Sequence, residues 1–121
     1  MQPAYLPWIG YFKRIMDSDL HIILDHVQID QSSKTNFANR NKILTQSGPL
    51  WLSVPVSRGG DKSLNKIELT DDQKWAKKHW NSIKMSYSKA KCFDDYSDFF
   101  SDYYKKSYSN LMSLILPSSE Y

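Results

Sequence analysis

The chain is poor in the residues that staple, hinge or anchor small proteins. Its one cysteine, Cys92, excludes an internal disulfide, and the three scattered histidines do not complete a zinc framework with it. That usage fits a reducing cytoplasm, the compartment expected here. There are four glycines, and none belongs to the phosphate-cradling loop of kinases and ATPases. The longest apolar runs, such as Ile22-Ile23-Leu24 and Leu111 to Leu116, fall well short of the ~20 residues that a membrane span needs. Excess charge is scarce too: 16 Lys and Arg against 13 Asp and Glu leave +3. A dedicated nucleic-acid binder carries a more concentrated positive field, so a small anionic ligand suits this chain better than nucleic acid. What the 121 residues do hold is apolar and aromatic surface, 40% and 14% of the chain, enough for one domain to close a core.

Periodicity organises that surface. The opening MQPAYLPWIGYF crowds two prolines, a glycine and four aromatic rings together. After Pro7, the spacing of Trp8, Ile9, Phe12, Ile15 and Met16 predicts a short helix to about Asp17. Leu20 to Leu24 reads as a strand covered on both faces, with Asp25 at its carboxyl end. Polar residues from Gln31 to Asn41 read as a loop. Trp51 to Val56 is a second strand, introduced by Gly48-Pro49 and closed by Arg58 to Asp61, and Leu64 to Leu69 is a candidate third. Thr70, Asp71 and Asp72 then start a helix to about Ala90, with Ala76, Trp80, Ile83 and Tyr87 on one stripe. Phe93 to Tyr108 predicts an aromatic helix, and Asn110 to Leu116 begins another with Pro117 as its stop. The fold class is α/β: an incomplete, open, partly parallel sheet with flanking helices and a helix-rich second half, one domain over residues 1–121.

In a βαβ unit, ligands bind beyond the carboxyl ends of the strands. That rule nominates Gln2, Pro3, Asp25, Gln28, Pro55 and Arg58 for one crevice. Gly10 leaves room for a ligand or a neighbouring backbone to approach the first helix. His79 follows Trp75 by four residues, so the two share a helix face and can form part of a pocket wall. The plain readings stand beside these: Asp25 as a strand-end cap, Gln28 solvated, His79 packed, Cys92 a small buried hydrophobe, and the rings from Phe93 to Tyr104 as core.

Several strings in this order, Gln2-Pro3, Pro7 to Phe12, Asp19, Asp25 to Gln28, Asn39 to Ile43, Trp51 to Val56, Trp75 with His79, and Tyr87, resemble the WbqC-like family over nearly the whole chain. The resemblance implies a bacterial protein of O-antigen and surface-polysaccharide gene clusters. It also implies a transferase that attaches glycine or a similar acyl group to a nucleotide-linked amino sugar. Against the family's pattern, the chain is expected to be a fragment lacking a first strand before Met1 and a carboxyl-terminal half. Asp25 and His79 are then the catalytic candidates. Trp8, Gly10 and Tyr11 shape the first turn, in distant analogy to the nucleotidyltransferase turn that carries two histidines. Asn39, Arg40, Asn41 and Lys42 clamp phosphate; without the resemblance, that basic run reads as a solvated loop. No metal set and no cofactor is assigned. The competing class is a non-catalytic nucleic-acid- or glycan-binding module, built from Trp75, Lys77, Lys78, Trp80 and Lys84 with Tyr103 to Lys106.

Overall fold

Ile43 and Leu52 decide how the first ordered layer faces. In the computed structural model, which describes residues 1–29, 36–57, 59–70 and 72–120 (side chains as far as 118), these two are buried on facing strands of a hairpin. Strand β1 (Arg40–Thr45) pairs antiparallel with β2 (Gly48–Ser53), from Arg40 opposite Ser53 to Thr45 opposite Gly48. Gly48 takes a φ of +108°, which a side chain would resist, and so closes the tight turn. By alternation, Arg40, Lys42 and Trp51 share the opposite face.

This hairpin replaces the open, partly parallel sheet expected from the sequence: among the described residues the sheet has two antiparallel strands. Leu20 to Leu24 joins neither strand, and Leu20 and Ile22 stay 75% and 60% exposed. The Met1 ammonium donates to the Ile22 carbonyl (2.7 Å) and the Leu24 amide to the Met1 carbonyl (2.9 Å), the bonds of one parallel rung around Ile23. Ile23 packs half-buried against the core, so one face of the run is covered and the other, with Leu20, Ile22 and Leu24, stays open. The second predicted strand begins earlier than its apolar pattern and stops at Ser53, because Pro55 has no amide to give a ladder. Beyond it Val56 makes a single bridge to Leu69, and Leu64–Lys66 is a turn of 3-10 helix.

Four helices complete the chain: α1 (Ile9–Met16), α2 (Lys74–Tyr87), α3 (Phe93–Lys105) and α4 (Leu111–Glu120). Pro7 precedes α1 rather than opening it. The Asp72 carboxylate accepts from the Lys74 amide (2.9 Å), so α2 starts there and not at Thr70. Asp94 and Asp95 stand in the first turn of α3, where the helix dipole favours acids. Asn110 caps α4 by accepting from Ser113 (2.9 Å). Pro117 lies inside α4 instead of ending it, since its fixed φ is helical and its main cost is one lost ladder donor. Cys92 is exposed, not buried, because it sits in the link before α3 where no core faces it.

The buried side chains form one cluster, deepest at Tyr5, Val54, Leu64, Leu111, Leu114 and Ile115. Ala76 is buried in it, and Trp80, Ile83 and Tyr87 pack half-buried against it, so the stripe read from the sequence is the inner face of α2. Tyr103 and Tyr104 bring the aromatic face of α3 to the same cluster.

The room beside Gly10 is taken by the protein itself. A Cβ there would stand 2.9 Å from Trp8 Nε1 and 3.1 Å from Trp8 Cδ1. Trp8 is 46% exposed and free to swing outward. Gly10→Ala is therefore expected to change stability by less than about 1 kcal/mol, the indole's displacement offsetting the helix gain. Near-UV circular dichroism should register the loss of the contacts of Trp8 with Tyr11 and Phe37.

Candidate functional site

Tyr5 is carried to the centre of the molecule by a strained turn. Leu6 has a φ of +46°, and the Asn41 amide holds that turn by donating to the carbonyls of Leu6 (2.6 Å) and Tyr5 (3.4 Å). The Tyr5 hydroxyl then meets His79 Nδ1 at 2.9 Å and the Tyr104 hydroxyl on its other side. The Ser53 carbonyl accepts from the His79 ring, which leaves Nδ1 as an acceptor. The protons thus run in one direction, Tyr104 to Tyr5, Tyr5 to His79, His79 to Ser53. Burial pushes the His79 pKa down to about 4, and the Ser53 carbonyl opposes it only in part. Burial first, then the neighbouring phenols Tyr104 and Tyr103, raises Tyr5 well above the usual tyrosine range. The network is neutral at neutral pH.

His79 also faces outward into a cleft along β2 and the first turns of α2. Two adjoining cavities, of about 570 and 550 Å³, share Pro55 and Thr70. The Thr70 amide donates to the Pro55 carbonyl (3.4 Å) in that common wall. Trp51, Trp75 and His79 wall the first cavity, with the exposed Asp72, Lys74 and Lys78. Asn36, Asn39 and Arg40 line the second. Arg40 Nε donates to the Asn36 carbonyl (3.0 Å), and its guanidinium lies 4.4 Å from the Trp51 ring centre. The Lys42 ammonium lies 4.7 Å from the same ring. Phe37 stacks on Trp51 at 6.2 Å, and Trp8 follows Phe37 at 5.6 Å, so a row of rings leads to the cleft. The Trp75 side chain is only 6% exposed, and its Nε1 has no hydrogen-bond partner among the described residues.

The model of the WbqC-like protein family matches residues 2–121. The chain belongs to the WbqC-like family. It is 34% identical over 116 residues to the uncharacterized protein Rv1507c of Mycobacterium tuberculosis, covering 95% of this chain and 49% of that protein. The WbqC-like chain thus spans about half the length of the curated relative it matches. No solved structure matches it significantly. Among the described residues no helix is long and apolar enough to cross a membrane, and no three His, Cys, Asp or Glu gather as a metal set.

The WbqC-like chain brings together some of the residues its sequence nominates. Arg40, Asn39 and His79 reach the cleft, and the Trp75–His79 pair does form a wall, ring centres 5.2 Å apart. Lys42 stands on the outer face of the hairpin beside Trp51. Asn39 Nδ2 donates to the Val54 carbonyl (3.0 Å), so this amide, like that of Asn41, holds backbone. Trp8 precedes α1, Gly10 packs under it, and Tyr11 is buried. Gln2 is exposed and Pro3 buried in the segment leading to Tyr5. Asp25 is half-buried with its carbonyl on the Asn65 amide (2.8 Å), and Gln28 bridges Ser63; neither lines the cleft. Arg58 lies outside the described residues. Sequence reasoning passed over Trp51, Thr70, Asp72 and Lys74 as site residues. One signal was available: Lys74 and Lys78 precede Trp75 and His79 by one residue each, so the period that pairs the rings also pairs the ammonium groups.

Proposed function

We propose that the cleft binds a nucleotide-linked amino sugar and that the protein transfers an acyl group, glycine or a similar one, to the sugar's amine in surface-polysaccharide (O-antigen) biosynthesis. The observation that carries this reading is the pair of adjoining cavities, about 570 and 550 Å³, with aromatic walls and cations from both the hairpin and α2. A nucleotide-linked sugar presents a flat base, anionic phosphates and a hydroxylated ring. Trp51 and Trp75 suit the rings, Lys74, Lys78 and Arg40 the charge, and Asn36 and Asn39 the hydroxyls. The simplest chemistry is direct: the amine nitrogen bonds to an activated acyl carbon, the leaving group departs with its electron pair, and the amine gives up a proton. Family resemblance supplies the acyl class. His79 in this reading holds the wall, since Tyr5 occupies its Nδ1. Asp25 stands outside the lining, and no part in the step is proposed for it.

A glycan- or nucleic-acid-binding module is the second reading. It is favoured by the partly exposed row Trp8, Phe37 and Trp51, flanked by Arg40 and Lys42. Incubation with nucleotide-linked amino sugars, glycine and ATP separates the two. Mass spectrometry is expected to find a sugar heavier by one glycyl group, and Arg40→Ala should weaken sugar-nucleotide binding about tenfold in calorimetry. No acylated sugar across the panel, together with salt-dependent binding to RNA or DNA, would make the module the better account.

A further inference from the structure

We infer that a third cavity, opening from the same cleft at Thr70, is the subsite for the amino sugar, with the Glu68 carboxylate as the group that holds the sugar's amine. This rests on the cleft reading above and gives the ligand a direction within it. The third cavity is about 580 Å³, as large as either neighbour, and Glu68, Gln73, Ser107, Tyr108 and Asn110 are among its walls. Thr70 lines it and also lines the two cavities already described, so the three meet at one residue. Backbone bonds between distant segments build the wall. Glu68 bridges Asn110, the Leu69 amide donates to the Ser109 carbonyl (3.0 Å), and the Leu111 amide donates to the Ile67 carbonyl (2.9 Å). The Tyr108 hydroxyl donates to the Tyr103 carbonyl (2.8 Å), which holds that ring in place.

Charge says which part of the ligand enters. The first cavity sets Lys74 and Lys78 against Asp72, and the second has Arg40, so each is left positive. Among the described residues Glu68 is the one charged group lining the third. It is exposed and makes no ion pair among them. A ligand that spans Thr70 is therefore matched by an anionic end on the side of the hairpin and α2 and a cationic end beside Glu68. A nucleotide-linked amino sugar has that polarity, with phosphates at one end and a protonatable amine at the other. Thr70, Gln73 and Ser107 add hydroxyls and an amide, which pair with ring hydroxyls in either direction. Asn36 and Asn39 are then left to the ribose. An acylated sugar has lost the cationic end, so this cavity favours the acceptor over the product. One carboxylate among neutral groups falls short of the oxygen set that calcium takes.

Backbone NMR with glucosamine, glucose and N-acetylglucosamine as probes reads this subsite without the nucleotide. At neutral pH glucosamine is expected to shift the amides of Ser107, Tyr108 and Ser109. It should bind about 3–5-fold more tightly than the other two sugars, the strength of one exposed charge pair. Glu68→Gln should remove that preference and leave the fold intact, because Glu68 joins the wall through its backbone. Raised salt should narrow the preference in the unsubstituted protein. No shift at these amides, or equal affinity for glucose and glucosamine, overturns the proposal. So does a preference that survives in Glu68→Gln. Calcium chloride that moves the same amides at lower concentration than glucosamine overturns it too, since Glu68 is then part of a metal site. Acylated sugar formed with the same KM by Glu68→Gln sinks this subsite and leaves the cleft standing. A glucosamine preference that needs Glu68, with no acylated sugar formed, keeps the subsite and removes the transferase.

Discussion

Tyr5→Phe is expected to cost about 2–4 kcal/mol of stability, although it removes a single oxygen. Tyr5 has no exposed surface, and its hydroxyl serves His79 Nδ1 and the Tyr104 hydroxyl together. Phenylalanine keeps the ring, so no cavity opens and packing is preserved. What changes is that two buried polar groups lose their partner at once, each at about 1–3 kcal/mol. Urea unfolding should show the loss as a lower midpoint with an unchanged slope. Tyr103→Phe is the comparison: its hydroxyl donates to the Leu114 carbonyl (2.7 Å), and its other partner, the Ser118 hydroxyl, keeps the Ile115 carbonyl (2.8 Å), so a smaller loss is expected. A Tyr5→Phe loss below about 1 kcal/mol would mean that His79 and Tyr104, whose ring centres lie 6.4 Å apart, close on one another instead.

Acid should undo the same network. His79 titrates near 6.5 when unfolded and near 4 in the folded chain, because burial penalises its charged form. As pH falls below 6.5 the unfolded chain takes up the proton first, so stability is full above that value and drains away between 6.5 and about 4. The total is about 3 kcal/mol, from a shift of roughly two and a half pH units at 1.36 kcal/mol each. Asp61 behaves in the same sense but at lower pH. The Ser63 amide and hydroxyl hold its carboxylate at about 2 instead of 3.8, so its contribution is present above 3.8 and lost as pH falls toward 2. Chemical denaturation at closely spaced pH values should show the His79 slope, and His79→Gln should flatten it. A wild-type curve that already matches that of His79→Gln between pH 6.5 and 4 would show that His79 is not held neutral.

How much of this was legible in the sequence follows from the range of each interaction. Helices α2 and α3 were, because Ala76, Trp80, Ile83 and Tyr87, and then Tyr103 and Tyr104, repeat with the helical turn that buries them. The turn at Gly48 was legible, and in part the strand after it, but the hairpin was not: Arg40–Thr45 has no apolar alternation to announce a strand, and the bounds of β2 follow the pairing with it rather than the apolar run. Leu20 to Leu24 reads as a covered strand because local pattern records apolarity and not the neighbour that would cover it. Pro117 and Cys92 misled for the same reason: a residue's usual habit is weaker than its place in the fold. At the site, Trp75 and His79 were legible as one face of one helix. Trp51 was not, since its approach to α2 is set by folding and by no local spacing. Asn39 and Asn41 each also donate to a carbonyl inside the chain, a contact between distant segments that no local spacing announces.

The contact between Tyr5 and Tyr104 closes a loop of 99 residues. Tyr5 therefore finds the partner of its hydroxyl only once residues far along the chain are in place. Helix–helix contacts between α2 and α3 span far less chain and form at smaller entropic cost. The segment around Tyr5 is then expected to dock late, onto helices already packed, so that residues 1–6 form the keystone rather than the foundation.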